Sequence, residues 1–297
     1  MKPGLSYYIT LFVIKLKGIK KDFSKDPIDF NKIRKADIHF PKANYFKQSQ
    51  VNSFKILNTL ITEIKQLKRS EKLLIFIHGG AFISGPSKHH WDSIKEIAKK
   101  TDHTIWMCDY PKAPENKISE ISRNIDQVYN RALEKYKAKN ITLIGDSVGG
   151  TLVTALIQRL ILKSIELPFK IIVVSPVMDA TMSNPQINEI DKIDPMLSKL
   201  GVLSAKKMCA ENNDLKNKMI SPINGSFDNF PKTILFLAEN DITYPDQQLT
   251  IQKLINANTD VEVHLGKRMP HIWPFLPVMK EAKTALKIII NNLNNKQ

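Results

Sequence analysis

The segment 145–149 reads Gly-Asp-Ser-Val-Gly and places Ser147 between two structural patterns. An apolar, β-branched run precedes it at 141–144, and a helical pattern follows it. A strand that turns sharply into a helix would expose the Ser147 hydroxyl and aim the backbone N–H of Val148 beside it. Glycines permit the strained backbone and the close approach that such a turn requires. The segment therefore predicts a nucleophilic serine, and an ordinary strand-to-helix turn with an incidental serine is the alternative.

A nucleophilic serine needs a base and a carboxylate that orients the base. Asp241 follows the apolar run 234–237, so it would lie at the end of a strand. Glu239 and Asp246 compete for this role, although Asp246 is better placed to begin the next helix, where a carboxylate caps free N–H groups. The sequence favours Asp241 as the orienting carboxylate.

His271 is predicted to be the base. It follows the apolar run 261–265 and lies 30 residues after Asp241, one strand–helix–strand step further along the chain. His264 lies inside that run. Four other histidines do not follow a core strand in the region where the base is expected, namely His39, His89, His90 and His103. A lone histidine near tryptophan and proline is more often structural, but the predicted serine and carboxylate favour catalysis.

The segment 78–82 (His-Gly-Gly-Ala-Phe) follows the apolar run 73–77. Residues without side chains let backbone N–H groups point into open space, where they can bind the negative charge that develops on a carbonyl oxygen. The predicted oxyanion hole consists of the N–H groups of Gly79, Gly80 and Val148. His78 is predicted to anchor this loop and not to act as the base.

Two further residues are predicted to support the site. Tyr110 lies in the segment 109–115, where two prolines fix an extended loop beside the serine. Asp146 directly precedes Ser147. The sequence contains no HExxH motif and no cluster of cysteine and histidine, so the predicted chemistry requires no metal.

Apolar runs alternate with helical patterns from residue 72 onward, and this predicts an α/β fold with a mainly parallel central sheet and helices on both faces. Ligands bind beyond the carboxyl ends of the strands in such sheets, which is where the segments above lie. The runs are at 73–77, 104–108, 141–144, 171–174, 234–237 and 261–265. The helical patterns are near 91–100, 117–138, 149–164, 246–257 and 276–293. Upstream, residues 53–57 indicate one or two antiparallel strands.

Composition limits the protein classes. The chain has 297 residues, of which 42% are hydrophobic, and no repeat or linker divides it, which predicts a single domain. Cys108 and Cys209 are too few for a disulfide scaffold, and a reducing, cytoplasmic compartment is the simplest inference. The net charge of +15 comes from lysines scattered among acidic residues. No nucleic-acid-binding motif accompanies them, so no nucleic-acid partner is predicted.

Residues 5–21 combine an apolar run with a basic end. The run has about half of the length that spans a bilayer, and no small-residue cleavage site follows it. The pattern predicts an amphipathic helix that packs on the domain or covers the substrate pocket. Weak peripheral contact with a membrane surface is the alternative.

The chain order of Ser147, Asp241 and His271 resembles that of the hormone-sensitive-lipase-like group of α/β-hydrolases. The resemblance covers roughly residues 72–290. It rests on HGGAF (78–82), DYPKAPE (109–115), GDSVGG (145–150), SPVMD (175–179), DPMLS (194–198), SPI (221–223), ENDITYPD (239–246) and HIW (271–273). It implies an α/β-hydrolase fold and a serine esterase that acts on small-molecule esters without a cofactor. It also implies a small helical cap formed by residues from about 1–45 and about 182–220.

Two positions depart from the pattern that is common in this group. Ala81 stands where a third glycine is usual, and Val148 stands where alanine is usual. The backbone N–H groups survive both changes, so the oxyanion hole is not in doubt. The larger side chains could narrow the acyl pocket.

The favoured hypothesis is a hydrolase of small to medium apolar carboxylic esters, in which Ser147, His271 and Asp241 act through an acyl-enzyme. A lipase is a variant that only the N-terminal helix supports. The alternative is an amide or formamide hydrolase with the same three residues. A ligand-binding protein without catalysis is disfavoured because all three residues are present.

Overall fold

The structure is a computed structural model that describes residues 4–42, 45–46, 49–67 and 70–295. The strands of this part of the chain are β1 (Ser49–Ile56), β2 (Thr59–Gln66), β3 (Leu73–Ile77), β4 (Thr104–Asp109), β5 (Ile141–Asp146), β6 (Lys170–Val174), β7 (Lys232–Asn240) and β8 (Val261–Pro270). The α-helices are α1 (Leu5–Leu16), α2 (Ile19–Asp22), α3 (Phe30–Arg34), α4 (Lys88–Lys100), α5 (Ile118–Leu133), α6 (Val148–Leu162), α7 (Ile187–Ile193), α8 (Lys199–Cys209), α9 (Tyr244–Asn256) and α10 (Lys280–Asn294).

The eight strands form one sheet in the order β1-β2-β4-β3-β5-β6-β7-β8. β2 is antiparallel to both of its neighbours, β1 and β4, and all other pairs are parallel. The prediction of a mainly parallel sheet is therefore confirmed. The antiparallel strand predicted at 53–57 is confirmed over 53–56, which lie in β1, whereas Leu57 lies in the turn to the partner strand β2. The sequence pattern of β2 is ambiguous because hydrophobic and polar residues do not alternate strictly along it.

The strand β3 shows how the sheet serves two hydrophobic cores. Leu73, Ile75 and Ile77 pack in one cluster with residues of α5 and α6, whereas Leu74 and Phe76 pack in the other with residues of α4 and α10. All five side chains are buried. Each contributes about 1.5–3 kcal/mol to stability when it is removed from water. Helices therefore cover both faces of the sheet, as predicted.

The parallel strands bring four segments to one edge of the sheet. β3, β5 and β7 end directly before His78, Ser147 and Asp241, and β8 ends directly before His271. The carboxyl ends of parallel strands share one edge, so these four residues approach each other although almost 200 positions separate the first from the last.

The N-terminal segment contacts the insertion between β6 and β7. The backbone N–H of Ile28 donates to Ser204 Oγ in α8 at 3.0 Å. Gly201 approaches so closely that a Cβ there would lie 1.9 Å from the carbonyl oxygen of Phe23. Gly18, with a left-handed φ of 64°, separates α1 from α2, so the helix predicted over 5–21 is two helices. Residues 1–3 and 43–44 of the predicted cap lie outside the described residues.

Candidate active site

A steric constraint explains the glycines around Ser147. Ser147 has φ 51° and ψ −123° between the end of β5 and the start of α6, a strained conformation for a residue with a side chain. A Cβ on Gly149 would lie 2.0 Å from the carbonyl oxygen of Ile77, and a Cβ on Gly145 would lie 2.4 Å from that of Gly149. The helix and the strands approach so closely that only glycine fits. Functional sites are where such strain is commonly stored.

Asp241 and His271 form a hydrogen-bonded pair. Asp241 Oδ2 lies 2.7 Å from His271 Nδ1. The pairing of β7 with β8 aligns Asn240 with Pro270, so the two residues that follow these strands are placed side by side. Both side chains are buried. Asp241 Oδ1 accepts hydrogen bonds from the Thr243 backbone N–H at 2.9 Å and from its hydroxyl at 2.7 Å, which fixes the carboxylate.

The environment of His271 makes its imidazole a stronger base than usual. Burial alone acts to lower the pKa of His271, but the charge and hydrogen bond of Asp241, followed by the charges of Asp194 and Asp146, raise it above its ordinary value. With Nδ1 bound to Asp241, the nitrogen that remains for a reaction is Nε2. A base of this kind works best when its pKa lies near the working pH.

The Ser147 hydroxyl is available to a ligand. Its side chain is almost buried, with 9% of the residue exposed. The described residues offer its Oγ no hydrogen-bond partner, His271 included, and its backbone N–H is held by the carbonyl of Val174 at 2.9 Å. Hydrogen bonds between a nucleophile and its base are often long before substrate binds and then tighten. The three predicted residues thus meet at one edge of the sheet, with the serine not yet bonded to the base.

The predicted oxyanion role of Gly79 needs correction. Its N–H donates to Asp146 Oδ1 at 3.1 Å, so it is not free to bind a substrate oxygen. A Cβ on Gly79 would lie 2.4 Å from Asp146 Oδ2 and 2.9 Å from Ser147 Cβ, so glycine is required there for packing. The N–H groups of Gly80 and Ala81 have no partner among the described residues. Since Val148 begins α6, its N–H also lacks an intrahelical partner.

Asp146 links the serine turn to two neighbouring elements. Besides Gly79, it meets His90 of α4, whose Nε2 lies 3.2 Å from Oδ1 and 3.3 Å from Oδ2. Burial acts to raise the pKa of Asp146, but His90 and the other donors hold it below the ordinary value. The Ser87 backbone N–H donates to His90 Nδ1 at 2.9 Å, so the proton of the ring must be on Nε2, facing Asp146.

This proton also decides against a metal site. Among the residues that the structure describes, His89, His90 and Asp146 are the one group with ligand atoms close enough to hold a metal ion, all within 4.8 Å of one another. A metal would need a lone pair on His90 Nε2, but the hydrogen bond from Ser87 places the proton there. The trio therefore does not present three free ligand atoms.

His78 and Tyr110 hold the loop that carries Gly80 and Ala81. The two rings stack at 4.5 Å, and the Tyr110 hydroxyl donates to the His78 carbonyl at 2.8 Å. His78 Nδ1 lies 2.5 Å from the Gly79 carbonyl oxygen. Complete burial holds the pKa of His78 well below its usual value, so this imidazole is neutral. Both residues contact the backbone of the loop. His271, and not His78, is the histidine that is paired with Asp241.

Asp194 is a site residue that sequence reasoning did not identify. The insertion places its buried carboxylate beside Asp241, where Oδ1 accepts from Met196 and Leu197 at 2.8 Å each and Oδ2 accepts from the Ile242 N–H at 2.9 Å. Burial and the charge of Asp241 raise the pKa of Asp194 to about 7. The only signal in the sequence was the segment 194–198, which carried the family resemblance but no role for this residue.

Asp246 has a different function from the predicted one. It lies in the first turn of α9, but the helix begins at Tyr244 and no backbone N–H bonds to the carboxylate in the described structure. Asp246 Oδ1 instead accepts a hydrogen bond from Asn184 Nδ2 at 3.0 Å. Burial raises the pKa of Asp246 to about 6. This residue therefore connects α9 to the insertion after β6.

Comparison with known proteins gives a consistent match. A family model described as the alpha/beta hydrolase fold matches residues 74–275. An esterase of Acinetobacter venetianus is 30% identical over 244 residues, which cover 80% of this chain and 79% of the relative. Esterase LipU of Mycobacterium tuberculosis is 25% identical over 212 residues, or 69% of each chain.

Solved structures match over nearly the whole chain. A putative esterase from Staphylococcus aureus has a TM-score of 0.87 and 25% identity, with 97% of this chain and 99% of that chain covered. An esterase from the bacterial hormone-sensitive lipase family has a TM-score of 0.85 and 20% identity, with 99% and 98% covered. The second match demonstrates a shared fold.

Proposed function

Because the chain belongs to the α/β-hydrolase fold family, we propose that it hydrolyses carboxylic esters with Ser147 as nucleophile, His271 as base and Asp241 as orienting carboxylate. The resemblance that the sequence predicted is confirmed, and the protein is a carboxylesterase- or lipase-type hydrolase. Its fold is that of hormone-sensitive-lipase-family esterases. The assignment of the three residues and of the substrate is our proposal.

The observation that carries this proposal is the Asp241–His271 hydrogen bond of 2.7 Å at the sheet edge where Ser147 lies in a strained turn. The carboxylate holds the proton of the imidazole on Nδ1, so Nε2 has a lone pair that can accept the proton of Ser147. Neither His78 nor His90 offers this combination, since His90 carries its proton toward Asp146 and His78 is stacked on Tyr110.

The proposed reaction has two halves. Ser147 Oγ attacks the ester carbonyl carbon while His271 Nε2 takes the hydroxyl proton, and the carbonyl electrons move to the oxygen. The tetrahedral intermediate collapses, the C–O bond to the alcohol breaks, and His271 gives its proton to the departing alcohol. Water then attacks the acyl-enzyme and passes a proton to His271. The bond to Ser147 breaks, the serine recovers its proton, and the carboxylic acid leaves.

Backbone N–H groups would stabilise the oxyanion in both halves. We assign this role to the N–H groups of Gly80, Ala81 and Val148, which have no hydrogen-bond partner among the described residues, instead of the predicted Gly79. Loss of one such donor typically costs about 2.7–4 kcal/mol of transition-state stabilisation. Fixed donors are effective because they are already oriented before charge develops, so no reorganisation is needed during the reaction.

The proposed substrates are small to medium esters with apolar acyl groups. Ala81 and Val148 carry larger side chains than the glycine and alanine that are common at these positions, and both are buried, which favours a narrow acyl site. We propose that the N-terminal segment and the insertion of about residues 182–220 form a cap, because Ile28 bonds to Ser204 and Phe23 packs against Gly201.

The test is hydrolysis of p-nitrophenyl esters of increasing acyl length by the wild type and by Ser147→Ala. Loss of a triad nucleophile typically lowers kcat by about 10⁶-fold, so the variant should be silent while the wild type is active. Ser53→Ala is the matched control, because Ser53 is an exposed serine of the outermost strand β1, outside the proposed cap, and it should retain full activity.

Equal, slow turnover by the wild type and Ser147→Ala would overturn the proposal. Matched p-nitroanilides would show whether amides are cleaved instead. Faster cleavage of the amide than of the ester would show that the same three residues serve an amide hydrolase.

A further inference from the structure

The helix α1 presents an apolar stripe to the outside of the protein. Six large apolar side chains of this helix are between 41% and 77% exposed, namely Leu5, Tyr8, Ile9, Phe12, Val13 and Leu16. At about 100° per residue they fall within an arc of about 140° on the helix surface. Single exposed apolar residues are normal, but a contiguous group of this kind marks an interaction surface.

The opposite face of α1 is firmly attached to the domain. Tyr7 and Ile14 are buried, and the Tyr7 hydroxyl donates to the carbonyl of Arg268 at 2.9 Å. At the start of the helix, the Gly4 N–H donates to Glu281 of α10 at 2.9 Å. These contacts hold the apolar stripe outward. The anchor at Arg268 lies on the end of β8 that leads to His271, so the stripe is on the same side of the protein as the proposed active site.

The stripe is bordered by positive charge. Residues 4–21 contain four lysines and no acidic residue. On the helical wheel Lys15 lies at one edge of the stripe, and Lys17, just after the helix, lies at the other. Both are exposed, and neither forms an ion pair with any residue in the described part of the chain. Apolar side chains flanked by lysines on one exposed helix face are typical of helices that lie in a lipid interface.

We propose that the outer face of α1 binds an anionic lipid surface, with the apolar stripe among the acyl chains and Lys15 and Lys17 at the headgroups. The helix has 12 residues and would lie in the plane of the surface. Among the described residues, no helix has the length and apolar character to cross a bilayer. A second copy of the chain fits less well, because two such faces in contact would bring lysines against lysines.

Vesicle binding tests this proposal without use of the enzymatic activity. The full chain is mixed with vesicles of phosphatidylcholine and phosphatidylglycerol in equal amounts, or of phosphatidylcholine alone, and the bound fraction is measured by sedimentation. Each lysine near an anionic surface contributes about 1 kcal/mol, which is about fivefold in affinity. The double variant Lys15→Ala/Lys17→Ala should therefore bind the mixed vesicles about 30-fold more weakly. The double variant Phe12→Ser/Leu16→Ser should lose most binding to both compositions.

Matched controls remove the same groups elsewhere. Leu162→Ser removes a highly exposed leucine at the end of α6, and Lys137→Ala/Lys253→Ala removes two exposed lysines. Both should bind like the wild type, and the near-ultraviolet circular dichroism should be unchanged in every variant. Absence of wild-type binding to the mixed vesicles overturns the proposal, as does equal loss in the controls. Dimerisation that Phe12→Ser/Leu16→Ser abolishes, without vesicle binding, would assign the stripe to a second copy.

Discussion

Replacement of Asp241 by asparagine should reverse the proton arrangement of His271. The Thr243 backbone N–H donates to Asp241 Oδ1 at 2.9 Å, and this donor cannot change its role. The amide oxygen of asparagine must therefore face Thr243, so the amide NH₂ faces His271 Nδ1. Because that NH₂ is a donor, Nδ1 has to accept, and the proton of the ring moves to Nε2. His271 could then no longer accept the proton of Ser147.

The expected loss is large because the base is present only in the wrong tautomer. Triad enzymes with this substitution lose about 10⁴-fold in kcat, which corresponds to about 5.4 kcal/mol of transition-state stabilisation. The hydrogen bonds to Thr243 are retained, so the fold should be intact. The effect should therefore be seen in kcat, while the near-ultraviolet circular dichroism stays like that of the wild type.

The assay is kcat on the best p-nitrophenyl ester for the wild type, Asp241→Asn and Glu239→Gln. Glu239→Gln is the matched control, because it makes the same chemical change two residues away, where Glu239 Oε2 accepts a hydrogen bond from the Arg268 N–H at 2.7 Å. Glu239→Gln should stay within about tenfold of the wild type. A loss of less than about tenfold in Asp241→Asn, or an equally large loss in Glu239→Gln, would contradict the proposed change of tautomer.

Three further predictions concern pH and packing. The pKa of His271 is raised above the ordinary histidine value of about 6.5, and the base must be neutral to act. As pH is lowered, kcat/KM should therefore fall with a midpoint above that ordinary value, and a midpoint below it would contradict the prediction. Gly149→Ala would place a Cβ 2.0 Å from the Ile77 carbonyl oxygen, so urea denaturation should show a loss of about 3 kcal/mol or more, not the gain of a helical Gly-to-Ala change. The pKa of Asp194 is raised to about 7, so the folded protein favours the protonated carboxyl. The stability that this carboxyl contributes is fully present below the unfolded pKa of about 3.9 and is lost as pH rises through about 7. Asp194→Asn cannot ionise, so the free energy of unfolding of the variant minus that of the wild type should rise between about pH 5 and about pH 8. A cost at the Ile242 N–H that does not depend on pH would shift this difference without changing its trend. Parallel plots of the two unfolding free energies against pH would contradict the prediction.

The sequence predicted the features that depend on chain order. Buried apolar runs between helical patterns are sufficient to predict the parallel sheet, since such strands must be covered on both faces. Once the sheet is parallel, residues that follow the strands meet at one edge. This is why Ser147, Asp241 and His271 were predicted from their positions after β5, β7 and β8, and why the Asp241–His271 hydrogen bond was found where the prediction placed it.

Features that depend on side-chain partners in space were not predictable in the same way. The sequence shows that Gly79 has no side chain, but not that its N–H is taken by Asp146. Asp194 lies in an insertion without a regular pattern, and only the folded chain brings it beside Asp241. Similarly, the stripe of α1 shows its character only when the opposite face is known to be buried, because the apolar residues alone were consistent with packing on the domain.

Trapping the nucleophile tests the role of Ser147 most directly. The protein is treated with diethyl p-nitrophenyl phosphate, which leaves a stable phosphoryl group on an activated serine, and the modified peptide is identified by mass spectrometry. A single adduct is expected, on Ser147, with activity lost in proportion to labelling, and no adduct in Ser147→Ala. Labelling of another residue, or full activity in the fully labelled protein, would contradict this role of Ser147.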